Sequence, residues 1–210
     1  MLGAIAGDII GSVYEGDNIK TRDFPLFGPL STFTDDSVCT LAVAECLMAG
    51  DGDFAGHLRK FVRRHPRRGY GGMFFDWAMS DKGAYGSWGN GSAMRVGPVA
   101  YAAENEAEVL ELAARSSSVT HSHPDAVAAA QAVALAMWLA RREAGKKDIA
   151  RTISERFAYD LSESVDSIRI WYAFDVSARG SVPQAIICAL EAGDYPGAVR
   201  NAVSIGGDSD

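Results

Sequence analysis

The chain has 210 residues, of which 48% are hydrophobic and 22% charged, with a net charge of −7. That length buries one substantial core and is most simply a single domain. The acidic balance gives no general attraction for phosphate backbones, which disfavours binding nucleic acid through a basic face.

The N-terminus lacks a basic and apolar leader, because Gly3, Gly7, Asp8 and Gly11 interrupt the one candidate segment. No apolar stretch approaches the ~20 residues that a membrane helix needs. Cys39, Cys46 and Cys188 form no C-x-x-C pair and sit in apolar runs. They read as reduced, buried thiols, and the expected location is cytoplasmic.

Residues 2–13 repeat apolar and small side chains every three to four positions, as a buried helix does. Gly3, Gly7 and Gly11 share one face, at a cost of about 1 kcal/mol each relative to alanine. Close approach of a neighbour to that face would account for them. An irregular loop with Gly16, Pro25, Gly28 and Pro29 follows. A helix then runs from Thr34 to about Ala49, and a second from Phe54 to about His65, stopped by Pro66. The second carries Arg59, Lys60, Arg63 and Arg64, continued by Arg67 and Arg68, which reads as a solvated basic face.

After Gly69-Tyr70-Gly71-Gly72 comes a short aromatic helix, then a loop leading into Gly89-Asn90-Gly91-Ser92. Val96 to Ala103 look helical, Glu106 to Ser116 amphipathic, and Pro124 to about Ala144 form the longest helix. Another is expected from Asp148 to about Leu161. Ser167 to Val176 alternate as a strand would, in a helical context. Helices from Gly180 to about Ala192 and from Asp194 to near Ser204 complete the count of about ten. With no hairpin signal and no βαβ alternation, the fold class is all-α.

Three groups of residues carry possible chemistry. Thr34, Asp35 and Asp36 open a helix. Thr34 suits the N-cap and the two acids suit the positive end of the dipole, so simple capping explains them as well as metal binding does. Together with Asp208-Ser209-Asp210 they offer four carboxylates plus hydroxyls, with no His or Cys adjacent. Oxygen-only donors suit Mg²⁺, Mn²⁺ or Ca²⁺, and four carboxylates exceed what one divalent ion needs, so two ions are plausible. The clusters lie at opposite ends of the chain, and spacing alone does not bring them together. The second group, Gly89 to Ser92, is a glycine-rich turn opening a helix, able to cradle an anion or simply to turn the chain. The third is Thr120-His121-Ser122-His123-Pro124, where a histidine at a helix start serves as a cap or as a donor to a phosphate or ribose hydroxyl.

In order, the chain shows G-x-x-x-G-D-x-x-G-x-x-x-E from Gly3 to Glu15, F-T-D-D-S from Phe33 to Ser37, and G-x-G-S-A-M-R from Gly89 to Arg95. T-H-x-x-P from Thr120 to Pro124 and G-G-D-S-D from Gly206 to Asp210 complete the series. It resembles the ADP-ribosylglycohydrolase family. The resemblance implies an orthogonal helical bundle around a centre of two Mg²⁺ or Mn²⁺ ions, with Thr34, Asp35, Asp36, Asp208 and Asp210 as ligands. Glu15 matches a glutamate that gates the site or activates water, and Glu15, Asp36 and Asp210 would be the acids nearest the chemistry. Gly89, Asn90, Gly91 and Ser92, with Met94 and His121, match positions that hold the diphosphate and riboses. Tyr70 and Gly71 would line the same cleft.

The implied reaction is hydrolysis at C1″ of the distal ribose, releasing ADP-ribose from a modified protein side chain or a small guanidine. A non-catalytic ADP-ribose-binding or structural member of the same fold is the alternative. A phosphatase-like two-metal hydrolase would share the carboxylates and leave the T-H-x-x-P and G-N-G-S residues unexplained. The family's last motif runs on as D-x-D-T into a further helix, whereas this sequence ends at Asp210. The chain as given is therefore expected to lack that threonine and that helix.

Overall fold

The computed structural model describes residues 1–209. Among them the chain forms α1 (Leu2–Gly11), α2 (Asp35–Ala49), α3 (Phe54–Arg64), α4 (Gly72–Ala78), α5 (Val99–Ala102) and α6 (Glu106–Ser118). There follow α7 (Pro124–Arg141), α8 (Lys146–Phe157), α9 (Val165–Trp171), α10 (Ala178–Glu191) and α11 (Tyr195–Ser204). A single 3₁₀ turn spans Asn90–Ser92. The only β pairing among the described residues is one antiparallel bridge, Gly89 with Ser177. None of the described helices is long and apolar enough to cross a membrane.

Side-chain caps set most of the helix starts. Thr34, Asp53, Asn105, His123, Ser164, Ser177 and Asp194 each accept a hydrogen bond from an otherwise orphaned first-turn amide. The central element is α7. Ala126, Ala129, Ala130, Ala132, Ala134 and Leu135 along it are fully buried. Its small side chains let α6, α8 and α10 pack close around it, and Val96, Val99, Val109, Ile149 and Ile153 fill the rest of this core. A second cluster joins α2, α3 and α4 through Leu58, Val62, Phe74 and Trp77. A third joins α9 and α10 through Val165, Ile168 and Ile187, and Ile205 after α11 packs into it. The small face of α1 meets Tyr195 of α11, whose hydroxyl donates to the Gly3 carbonyl at 2.6 Å.

Several boundaries differ from those expected. The helix at Pro98 begins only at Val99, since Pro98 acts as its N-cap. Helix α8 ends at Phe157 because Ala158 turns left-handed, with φ 55°. The alternating run near Ile168 is a helix to Trp171, followed by extended chain that brings Phe174 and Val176 to a cavity wall. The basic face of α3 is partly committed to packing. Arg59 lies 4.3 Å over the Trp77 ring, Arg63 donates to the Ala78 carbonyl, and Arg68 lies 3.6 Å over Phe33.

Because α7 is shared by most of the core, Leu135→Ala is expected to cost about 2–5 kcal/mol, the range for truncating a fully buried leucine. Urea denaturation of the two proteins measures it.

Candidate active site

The site is built on the N-terminus of α2. Asp8, on α1, is 3% exposed, and both its carboxylate oxygens face that helix end. They accept from the Thr34 amide at 3.0 and 3.1 Å, from the Thr34 hydroxyl at 2.7 Å and from the Ser37 amide at 3.1 Å. A buried carboxylate at a helix N-terminus satisfies orphan donors and opposes the positive dipole end. Thr34 gives its proton to Asp8 and receives the Asp36 amide at 3.3 Å. One lone pair of its hydroxyl thus remains for another partner. The Asp35 amide donates to the Arg68 carbonyl at 2.8 Å, which fixes the loop from Gly69 to Gly72 against the same helix end.

The far end of the chain reaches this point through a separate set of bonds. Lys20 donates to the carbonyls of Tyr172 and Ile205. Asn18 donates to the carbonyls of Tyr14, Glu15 and Gly207. Gly206 has φ +69°, and a Cβ there would lie 2.8 Å from the Lys20 chain, so a side chain would meet both backbone strain and Lys20. Asp208 receives the Asn90 side-chain amide at 2.7 Å. Burial and the neighbouring Asp175 carboxylate push the Asp208 carboxyl above its ordinary value, while Asn90 partly offsets them.

These constraints bring Glu15, Asp35, Asp36 and Asp208 to the wall of one cavity of about 320 Å³. Gly71, Gly89, Asn90, Gly91, Met94 and His121 line the same cavity. Asp210 lies outside the described residues. Thr34 lies just behind the wall, tied to Asp8. Two residues expected at the cleft, Tyr70 and Ser92, do not line this cavity. The Tyr70 hydroxyl donates to the His65 carbonyl at 2.8 Å and its ring packs on Phe74 and Phe75, so the loop reaches the cavity through its glycines alone. The Ser92 hydroxyl is buried and donates to the Ala126 carbonyl at 3.2 Å, tying the turn to α7.

His121 is 5% exposed, and its environment fixes its proton. Arg95, fully buried, donates to the Thr120 hydroxyl at 2.9 Å, and that hydroxyl lies 2.7 Å from His121 Nδ1. A guanidinium only donates, so the Thr120 oxygen accepts from Arg95, and its own proton is assigned to Nδ1. Burial, aided by the Arg95 charge, pushes the imidazole down to about 3. The ring is thus neutral, and this network assigns its proton to Nε2. Nε2 faces the glycine turn, where a Cβ on Gly91 would stand only 2.9 Å away.

Asp8, Arg95 and Thr120 are functional supports to which the sequence reading gave no role, although all three lie within the quoted motifs. An acid on the apolar, glycine-spaced face of α1 was the available signal for Asp8. The wall also includes Tyr85, Trp88 and Phe174, with Trp88 and Phe174 about half exposed at 54% and 50%. They had no spacing signal.

All four carboxylates on the wall offer hard oxygen donors to the one cavity. That donor set fits divalent Mg²⁺ or Mn²⁺.

The family model for ADP-ribosylglycohydrolase matches residues 1–210. The chain is 29% identical over 153 residues to the ADP-ribosylhydrolase ARH3 of Xenopus tropicalis, covering 58% of this chain and 43% of the relative. It is 26% identical over 178 residues to ARH3 of Gallus gallus, covering 67% and 48% respectively. The chain thus spans less than half the length of these curated relatives. A solved structure described as an ADP-ribosylglycohydrolase-related protein complex superposes with a TM-score of 0.75 at 27% identity, covering 99% of this chain and 80% of its own.

Asp8→Ala would strip the acceptor from two amides and a hydroxyl at the head of α2. The expected loss is roughly 2–4 kcal/mol, because each buried donor left unpaired costs about 1–3 kcal/mol before water relaxes into the gap. Thermal unfolding of the variant measures it.

Proposed function

The chain belongs to the ADP-ribosylglycohydrolase family, and from that premise we propose that it hydrolyses the C1″ bond joining ADP-ribose to an acceptor. The acceptor class is an arginine- or serine-type protein side chain or a small guanidine. One observation carries this reading: four carboxylates from opposite ends of the chain share a cavity with the glycine turn and His121. A volume near 320 Å³ lies within the range of small-ligand sites.

Thr34, Asp35, Asp36 and Asp208, with Asp210, would hold two Mg²⁺ or Mn²⁺ ions, supplying Lewis acidity and charge neutralisation at the distal ribose. The chain's own residues do the rest. His121 Nε2–H donates to a phosphate or ribose oxygen from a neutral ring. The small residues Gly89 and Gly91 let that oxygen approach closely. Trp88 and Phe174, at the rim, offer aromatic faces for the adenine. Glu15 takes a proton from the attacking water as its oxygen bonds to C1″, and the acceptor, leaving with the bonding pair, takes up that proton from Glu15.

Asp36→Asn tests the reading. Loss of an outer partner of a metal ligand typically costs 10–100-fold, so loss of a ligand itself is expected to slow ADP-ribose release at least ~100-fold. The substrates are arginine- and serine-linked ADP-ribose with Mg²⁺, and circular dichroism should stay unchanged. Tight ADP-ribose binding by the unmodified chain, with no release from either linkage, would instead make the cavity a binding module.

A further inference from the structure

A cluster of sulfur, imidazole and carboxylate donors lies at the turn between α2 and α3. Cys46, near the end of α2, Asp51 in the turn, and His57 on α3 each present one donor atom, and all three lie within 4.8 Å of one another. Cys46 Sγ is 3.6 Å from Asp51 Oδ1, and His57 Nε2 is 3.0 Å from Asp51 Oδ2. Donor atoms sharing a tetrahedral ion stand about this far apart, given metal–sulfur and metal–nitrogen bonds near ~2.3 and ~2.0 Å.

Three further features make these residues an arranged set. Glu45 Oε2 holds His57 Nδ1 at 2.7 Å. This is the carboxylate–histidine pairing that, in metal sites, fixes the ring and leaves Nε2 for the ion. Asp51 is held in turn by the Asp53 amide, which donates to its Oδ1 at 3.0 Å. Cys46 is only 1% exposed, so its sulfur is presented from a preformed wall while Asp51 stands at the surface and leaves a path for entry. The nearby cations do not occupy the ligands. Lys60 pairs with Glu45 at 2.8 Å, and Arg115, whose charge acts on Cys46, lies beside Gly52.

We propose that Cys46, Asp51 and His57 form a site for one borderline divalent cation of the Zn²⁺ class, with water as the fourth ligand and Glu45 orienting His57. Sulfur and imidazole donors distinguish it from the oxygen-only centre in the cavity. Binding forms an S–metal bond as the Cys46 thiol releases its proton to solvent. An imidazole proton on Nε2, where present, leaves in the same way. The site needs neither ADP-ribose nor the hydrolytic reading.

The test uses the full chain, stripped with EDTA and supplied with excess Mg²⁺ so that oxygen-only sites are filled. Co²⁺ is then titrated as the probe. The expected result is one Co²⁺ per chain with thiolate-to-cobalt charge-transfer absorption, reversed by Zn²⁺. Cys46→Ala should abolish that absorption, and Glu45→Gln should weaken Co²⁺ binding about 10–100-fold. If Cys46→Ala fails to fold, His57→Gln serves, with at least a tenfold loss of affinity expected. Absence of the absorption in the unmodified chain, its persistence in Cys46→Ala, or an unchanged Co²⁺ affinity in Glu45→Gln or His57→Gln overturns the proposal.

Discussion

The head of α2, and with it one wall of the cavity, depends on a carboxylate that does not line it. Asp8 stands in the contact between α1 and α2 and takes the first donors of α2, including the proton of Thr34. An acid there opposes the helix dipole from the buried side, while Asp35 and Asp36 reach the cavity wall. Two negative side chains in a first turn are ordinary. Two that also share a cavity wall with Asp208 are the pair on which the proposed cation centre rests.

The opposite wall depends on backbone held by side chains. Lys20 and Asn18, both from the loop after α1, take the carbonyls around Gly206 and Gly207, and Asn90 takes Asp208. One loop therefore determines where the end of the chain lies, and the glycine turn is bonded directly to it. A substrate contacting Gly89–Gly91 is thereby placed beside the carboxylates. His121 is oriented by a separate chain of donors that begins at the buried Arg95 and emerges at Nε2. Its donor role is set by hydrogen-bond direction, without an added charge.

The sequence showed the helices well because caps and breakers are local. Thr34, Asp53 and Asp194 could be read as starts, and Gly50 as a stop, from residue type alone. Motif order also brought Glu15, the Thr34–Asp36 turn and Asp208 under one suspicion. Side-chain direction was not legible. Ser92 sits in a motif whose neighbours face the cavity, yet its hydroxyl turns to the buried Ala126 carbonyl, and Tyr70, between cavity-lining glycines, packs on Phe74 and gives its hydroxyl to the His65 carbonyl. The run from Ile168 to Val176 alternated for two unrelated reasons. Ile168 and Tyr172 are a helical turn apart and buried, whereas Phe174 and Val176 lie on extended chain at the cavity. Trp88 and Phe174 line one cavity although they are far apart in sequence, and the Gly89–Ser177 bridge that joins their segments is announced by no local pattern.

The central claim is that acids from both ends of the chain make one divalent-cation centre. Anomalous diffraction from crystals soaked in Mn²⁺ tests it most directly. The account requires Mn²⁺ peaks inside the cavity, bounded by Asp35 and Asp36 on one side and Asp208 on the other. Mn²⁺ absent from that cavity, or found only at the Cys46–Asp51–His57 turn, would contradict it.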